Sequence, residues 1–268
     1  MMNDETDQPI LTDLSPSEPI GGVMHEVTER EKLDVDALNE LFEKEQPGKI
    51  VQWSAAEFGE ELMMTSSFGA QAAVLIHMAV RVKPDIRVVF VDTGYLFPET
   101  HRFMEALRRR LNLRIWAYRT VNDPVAYLHQ AGEENHTWRK DIKACCAANK
   151  NEPMERAMME LRPRAWLRGI RRQQAETRKK AAFIEWSSRY GCYAISPLLN
   201  WTSRDVGLYM KEHDLPYHPL VEKGYLSIGC NPLSCTRPAQ IGEDAREGRW
   251  AGTGKTECGI NSLDSAGL

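Results

Sequence analysis

The stretch Glu61-Leu62-Met63-Met64-Thr65-Ser66-Ser67-Phe68-Gly69, an apolar run on to Val82, and then Ile86-Arg87-Val88-Val89-Phe90-Val91-Asp92-Thr93-Gly94 decide the fold. Glu61 to Ser66 reads as a short buried strand ending in small polar residues. Gly69 to Val82 reads as an apolar helix, and Ile86 to Val91 as a β-branched strand closed by Asp92-Thr93-Gly94. Outward from there, Pro98-Glu99-Thr100 opens a helix that runs to Leu111, and Leu113 to Tyr118 is a third strand. Ala165-Trp166-Leu167 reads as a fourth strand and Tyr193 to Leu199 as a fifth. Upstream, Leu33, Leu38, Leu41 and Phe42 give helical spacing from Asp34 to about Glu45. Downstream, Ser203 to His213 is an amphipathic helix that starts after Thr202 and carries Asp205 in its first turn. Alternating strands and helices build βαβ units, so the expected class is α/β, a mostly parallel sheet with helices on both faces.

A chain of 268 residues, 42% hydrophobic and 27% charged, is long and apolar enough for one large packed core. Mean hydropathy is −0.47, and no run reaches the roughly 18 apolar residues a membrane-spanning helix needs, so no membrane role is expected. The first residues, to about Gly22, are acidic and contain Pro and Ser without a basic or apolar leader, and are expected to be a disordered extension of a cytoplasmic protein. Net charge is −4, which argues against nucleic acid as a partner. The basic residues are nevertheless concentrated: Arg162, Arg164, Arg168, Arg171, Arg172, Arg178, Lys179 and Lys180 fall within 19 positions. Such a run is either a solvated surface or a cradle for a small polyanion.

Five of the six cysteines are grouped: Cys145-Cys146, Cys230 with Cys235, and Cys258 in Glu257-Cys258-Gly259. Six are too few for a disulfide scaffold, and grouping in a cytosolic chain favours metal or redox roles. Zinc pairs are usually separated by two to four residues, so adjacent cysteines suit a larger target better. An iron–sulfur cube spreads its irons and lets neighbouring thiolates take different corners. The ordinary alternative is that these are small buried hydrophobes, and Cys192, which has no grouped partner, is assigned to packing. Cys258 sits among Gly252, Gly254 and Gly259, a segment able to swing. As a nucleophile it needs cationic neighbours, which Arg246, Arg249 and Lys255 could supply; the alternative is an inert exposed thiol. The Thr65-Ser66-Ser67-Phe68-Gly69 turn between strand and helix can bind an anion through backbone amides and hydroxyls. Asp92-Thr93-Gly94, at the next strand end, faces the same crevice of a parallel sheet. Gly252-Thr253-Gly254-Lys255-Thr256 is not a phosphate-binding P-loop, because Arg249 stands where its first glycine is required and no strand precedes it.

Together these pieces resemble the assimilatory adenylyl-sulfate and phosphoadenylyl-sulfate reductases. The likeness runs from about Leu62 to Ile260 and includes Ser66-Ser67-Phe68-Gly69, Asp92 to Thr100, Cys145-Cys146 with Lys150, Gly169-Ile170-Arg171-Arg172 with Arg178, Gly224 to Cys230, Cys235-Thr236-Arg237-Pro238, Arg246-Glu247-Gly248-Arg249-Trp250 and Lys255 to Gly259. The resemblance implies an adenine nucleotide α-hydrolase-like fold with a flexible C-terminal tail. With the extension read from composition (1–25), the expected organisation is a nucleotide-binding reductase domain (26–240) followed by a mobile tail (241–268). It implies nucleotide binding by Ser66, Ser67, Phe68, Gly69, Asp92, Thr93 and Gly94. Arg171, Arg178, Arg246 and Arg249 would hold the phosphosulfate, and Lys150 would stand between substrate and cluster. It further implies a [4Fe–4S] cluster on Cys145, Cys146, Cys230 and Cys235. Cys258 would attack the sulfate sulfur to give an S-sulfocysteine, from which thioredoxin or a glutaredoxin-like dithiol releases sulfite. A homo-oligomer is compatible with all of this.

The paired cysteines favour adenylyl sulfate, with AMP as the other product, whereas Gly94-Tyr95-Leu96-Phe97-Pro98 looks more like the branch that uses phosphoadenylyl sulfate; a dual-substrate enzyme is the intermediate reading. Two departures from the pattern stand out. Cys230 and Cys235 enclose four residues instead of two, with the extra pair expected to bulge outward, and Asn149 stands where an Arg is usual. A remoter reading, an ATP pyrophosphatase that adenylates its substrate, needs a magnesium-binding Asp where Ala70-Gln71-Ala72-Ala73 has none. A four-cysteine zinc module that binds nucleic acid is disfavoured by the acidic charge.

Overall fold

Four largely buried strands, Leu62–Thr65, Arg87–Asp92, Ala165–Leu167 and Cys192–Ile195, set the centre of the sheet. The computed structural model describes residues 32–121, 141–231, 235–240, 246–257 and 259–261. The strands are β1 (Leu62–Thr65), β2 (Arg87–Asp92), β3 (Arg114–Arg119), β4 (Ala165–Leu167), β5 (Ile184–Ser187) and β6 (Cys192–Ile195). They form one sheet in the order β3-β2-β1-β4-β6-β5. All pairings are parallel except β5 with β6. β4 and β6 are buried at every position and read as unbroken apolar runs, as strands covered on both faces must. β3, at one edge, is largely exposed.

The helices are α1 (Val35–Phe42), α2 (Pro47–Phe58), α3 (Ala72–Val82), α4 (Pro98–Leu111), α5 (Ile142–Cys146), α6 (Glu152–Leu161) and α7 (Ser203–Glu212). They cover both faces of the sheet. On one face Met63, Val89, Tyr118, Trp166 and Ala194, brought into line by the strand register, pack with Met154, Ala157 and Met158 of α6. Residues of opposite parity, such as Phe90, point the other way, where Phe68 meets the Phe90 ring edge-on at 5.3 Å between centroids. Two-residue side-chain alternation makes this division obligatory. Among the described residues no helix is long and apolar enough to cross a membrane.

The expected elements are present with shifted ends. The third strand begins at Arg114, and the helix after the serine turn begins at Ala72, with residues 69–71 still in the turn. The expected strand over Tyr193–Leu199 is confined to Cys192–Ile195, because residues 197–200 turn. The helices α2, α5 and α6 and the strand β5 were not expected; β5 hairpins back onto β6 through a turn with Gly191 at φ 63°, a conformation glycine adopts without cost. α7 begins as expected: Thr202 accepts from the Asp205 amide at 3.2 Å, and Asp205 returns the contact to the Thr202 N–H at 2.8 Å. Cys192 is fully buried in the core.

Candidate active site

The strand order reverses direction between β1 and β4, and in open parallel sheets the ligand crevice lies at the carboxyl ends of the strands at that point. A cavity of about 260 Å³ opens there. The turn after β1 supplies Ser66, Ser67 and Gly69, and the segment after β4 supplies Arg168, Gly169 and Arg171. Thr93, Lys150, Arg178, Arg246 and Arg249 complete the polar wall. Among the described residues lining it, six are basic and none is a carboxylate. Such a wall favours an anionic occupant over a cationic one.

The turn is shaped by its own side chains. Ser66 Oγ accepts the Phe68 N–H at 3.0 Å. Phe68 takes φ 47°, and its fully buried ring anchors the turn to the core without lining the cavity. Asp92 also stays off the cavity wall. Its carboxylate accepts from Arg119 at 2.7 Å and from the Gly94 N–H at 3.0 Å, which bends the chain after β2. Of the thirteen residues proposed from sequence for substrate and catalysis, the structure thus brings nine to the cavity wall and puts Phe68, Asp92 and Gly94 behind it. Cys258 lies outside the described residues, as do residues 1–25 and the bulge positions 232–234.

Each arginine is held in place. Arg171 donates to the Trp201 carbonyl at 3.1 Å and to Gln71, and burial lowers its pKa. Arg168 pairs with Glu185 of β5 and donates to Ser196 at 2.9 Å. Arg249 donates to the Cys235 carbonyl at 3.0 Å and lies over the Trp250 ring at 4.5 Å. Lys150, Arg246 and Lys255 also stand within 6 Å of that indole, at 5.6, 5.7 and 5.8 Å. Trp250, 1% exposed, is thus a buried apolar wall around which the cations are arranged. Arg178 donates to both Glu257 oxygens, at 2.7 and 3.0 Å, and Arg246 to one at 3.2 Å.

Behind Trp250 the four grouped cysteines meet. Cys145, Cys146, Cys230 and Cys235 line one small pocket with Tyr95, Ile142, Asn149 and Lys150. Cys145 and Cys146 come from α5, which leads into a π-turn over Ala147–Asn151. A bridge between Leu96 and Cys230, and one between Thr236 and Arg249, bring the other two. Asn149 donates its amide to the Cys145 carbonyl at 3.0 Å and reaches the Cys145 sulfur at 3.6 Å. Burial pushes the Cys145 thiol up to about 11, with Cys146 adding to the shift. Burial also opposes ionisation of Cys230, but Lys150, the Thr93 hydroxyl at 3.4 Å and Arg249 outweigh it and lower its pKa. Among the described residues no group of three or more Cys, His, Asp or Glu is arranged to hold a single metal ion. Four thiols facing one buried pocket, with a cation beside them, fit a larger group bound through four thiolates. Lys150 lines both this pocket and the cavity, so the two sites share a wall.

Arg168 was noted only as one member of the basic run, and the structure places it on the cavity wall. Sequence reasoning assigned no site role to Gln71, Gln174 or Glu257: Gln71 lay inside an expected helix, and the place of Glu257 beside Arg178 and Arg246 depends on contacts across 79 and 11 positions that no local pattern encodes.

The sheet order and the anion cavity at its switch point define an adenine nucleotide α-hydrolase-like α/β protein. The chain belongs to the phosphoadenosine phosphosulfate reductase domain family, which it matches over residues 61–238. It is 37% identical over 227 residues to the adenosine 5'-phosphosulfate reductase of Salinibacter ruber, covering 84% of this chain and 88% of that one. It is 41% identical over 218 residues to the phosphoadenosine 5'-phosphosulfate reductase of Synechococcus sp., covering 80% and 90%. The fold is similar to that of a phosphoadenylyl-sulfate reductase from Candida auris solved as a phosphate complex, with TM-score 0.64, 28% identity and coverage of 73% of this chain and 93% of that one. An FMN adenylyltransferase from Candida glabrata, 15% identical at TM-score 0.55 over 79% of this chain and 67% of that one, shares the fold alone.

Proposed function

We propose that this protein reduces adenylyl sulfate to sulfite and AMP, working in the reducing cytoplasm as a step of sulfate assimilation. The observation that carries the reading is the switch-point cavity with six basic and no acidic lining residues, walled on one side by the four-cysteine pocket. In this reading residues 26–240 bind the nucleotide and residues 241–268 bring the nucleophile.

The sulfate sulfur is shielded by anionic oxygens, so an attacking anion needs cations around it. Arg171, Arg178, Arg246 and Arg249 would take the phosphosulfate oxygens, while the Ser66–Gly69 turn and Thr93 hold the nucleotide. The Cys258 thiolate attacks sulfur, the bond from sulfur to the phosphate oxygen breaks, and AMP leaves with that electron pair. Cys258 then carries the sulfonate as an S-sulfocysteine. A dithiol such as thioredoxin attacks the Cys258 sulfur and sulfite leaves with the bonding pair. The second thiol of the donor resolves the mixed disulfide, so the two electrons come from the dithiol and Cys258 is regenerated. Cys145, Cys146, Cys230 and Cys235 would hold a [4Fe–4S] cluster. When bound it would supply four iron–thiolate bonds tying the 145–146 and 230–235 segments together, and a fixed charge next to Lys150.

Phosphoadenylyl sulfate is the second reading, favoured by relatives of that name at 39–41% identity. Comparing turnover of the two nucleotides with thioredoxin present tests the assignment. Faster sulfite release from adenylyl sulfate is expected, and exclusive turnover of the 3'-phosphorylated substrate overturns it. Cys258→Ser should abolish sulfite release while AMP still binds; retained turnover removes Cys258 from the chemistry. Protein purified without air should be brown and contain iron, and a colourless zinc protein would overturn the cluster.

A further inference from the structure

Glu257 pairs with two arginines of the cavity wall, Arg178 and Arg246, and it directly precedes Cys258 in the chain. Its two oxygens accept from Arg178 Nε and Nη2 at 2.7 and 3.0 Å, from Arg246 at 3.2 Å and from the Thr177 hydroxyl at 3.2 Å. Both arginines line the cavity. Burial opposes its charge, yet the Arg178 hydrogen bonds and the two guanidinium charges outweigh burial and keep it ionised well below neutral pH.

A planar carboxylate held bidentately by one guanidinium, with a second guanidinium and a hydroxyl completing the ring, is the coordination a phosphate or sulfate group would receive. Buried guanidiniums without a counter-charge are costly. We propose that the Glu257 carboxylate is a placeholder for the anionic part of the substrate. In the ligand-free protein it neutralises Arg178 and Arg246, and the incoming nucleotide must exchange with it. The inference rests on the reading of the cavity as an anionic-nucleotide site. It adds that substrate binding and release of the segment next to Cys258 are one event.

The flanking contacts fit such an exchange. Gly252 and Gly254 take φ 78° and 70° on the amino-terminal side, where the backbone can reorient most freely. On the other side the chain is held independently of the cradle. Arg189, itself paired with Glu155, donates to the Gly259 carbonyl at 2.7 Å, and Ile260 packs against the core cluster. Exchange at Glu257 therefore loosens the segment from Gly252 to Glu257 while Gly259 and Ile260 stay anchored. The two arginines pass from carboxylate to substrate without a stage in which both are bare.

The test is equilibrium binding of AMP and, separately, inorganic sulfate to the full-length protein and to Glu257→Gln, with Glu257→Ala as the second variant. Removing a competing anion should tighten sulfate and AMP about tenfold in both variants. In the wild type, AMP should accelerate tryptic cleavage after Lys255, whereas in Glu257→Gln cleavage should be fast with or without AMP. Unchanged or weaker sulfate binding in both variants overturns the inference and makes Glu257 a plain anchor. So does AMP protection of the Lys255 bond in the wild type, which would mean the carboxylate stays engaged over the ligand. If sulfate tightens but AMP binds neither wild type nor variant, the placeholder stands and the nucleotide reading of the cavity falls.

Discussion

Gly229→Ala isolates the contribution of one cation to the cavity. A Cβ built at Gly229 would overlap the Arg249 guanidinium, whose Cζ, Nη1 and Nη2 are its three nearest neighbours. Arg249 cannot simply yield, because its Nε is tied to the Cys235 carbonyl at 3.0 Å and its plane lies 4.5 Å from the Trp250 ring centroid. Turning it away sacrifices a hydrogen bond worth about 1 kcal/mol and a buried cation–π contact worth about 1–2 kcal/mol. It also withdraws a charge-assisted contact to a bound anion, worth about 1.5–3 kcal/mol. AMP affinity should therefore fall about 10–100-fold, and urea unfolding should show a loss of about 2 kcal/mol. Arg249→Ala should lose similar affinity. Adding Gly229→Ala to Arg249→Ala should cost little more, less than about 0.5 kcal/mol, because the atoms the methyl would strike are gone. Calorimetric titration of the four proteins measures the cycle. Independent, additive losses would refute the reasoning, as would a Gly229→Ala protein that binds AMP like the wild type.

Three further outcomes follow from buried polar groups. His218 is fully buried; its Nδ1 accepts the Leu220 N–H at 3.1 Å and its Nε2 faces Thr100 Oγ1 at 3.1 Å, so the ring is neutral, and burial depresses its pKa from 6.5 to about 4. The unfolded chain takes up that proton first, so stability present above pH 6.5 should be lost as pH falls toward 4, by about 2–3 kcal/mol in all. His218→Gln should flatten this slope in urea titrations run across that range. Thr202→Ala removes the hydroxyl that accepts the Asp205 N–H at the start of α7, leaving the backbone N–H of position 202 still donating to Asp205, and should cost about 1 kcal/mol, read as a lower urea midpoint with an unchanged m-value. Arg168→Met leaves Glu185 partly buried without its ion-pair partner and should destabilise by about 3 kcal/mol. Arg168→Met with Glu185→Gln should recover part of that loss by thermal melting.

Much of the fold is written in local pattern. The alternation of β-branched runs with apolar helices foretells a parallel sheet, and Pro98, Thr202 and Asp205 mark helix starts through chemistry confined to a few residues. β5 escaped because Glu185 and Ser187 break its apolar character, and its place is settled only by the hairpin onto β6 and by Arg168 reaching Glu185. Phe68 and Asp92 looked like ligand contacts because they lie in the right turns. Whether a turn residue faces the ligand or the core depends on its backbone angles and on neighbours distant in sequence, such as Phe90 and Arg119.

The sequence by itself determined five of the six strands, four of the helices, the pairing of cysteines two by two, and the supply of arginines, because each follows from residue type and near-neighbour spacing. Only the tertiary structure decided that β1 and β4 lie side by side, and so that Ser66, Arg171, Arg246 and Arg249 surround one cavity although they are spread over more than half the chain. It alone brought Cys145 and Cys146 to Cys230 and Cys235, and Glu257 to Arg178. The physical reason is that charge and coordination act through distance in space, and chain reversals at the sheet edges set those distances without leaving a mark in local composition.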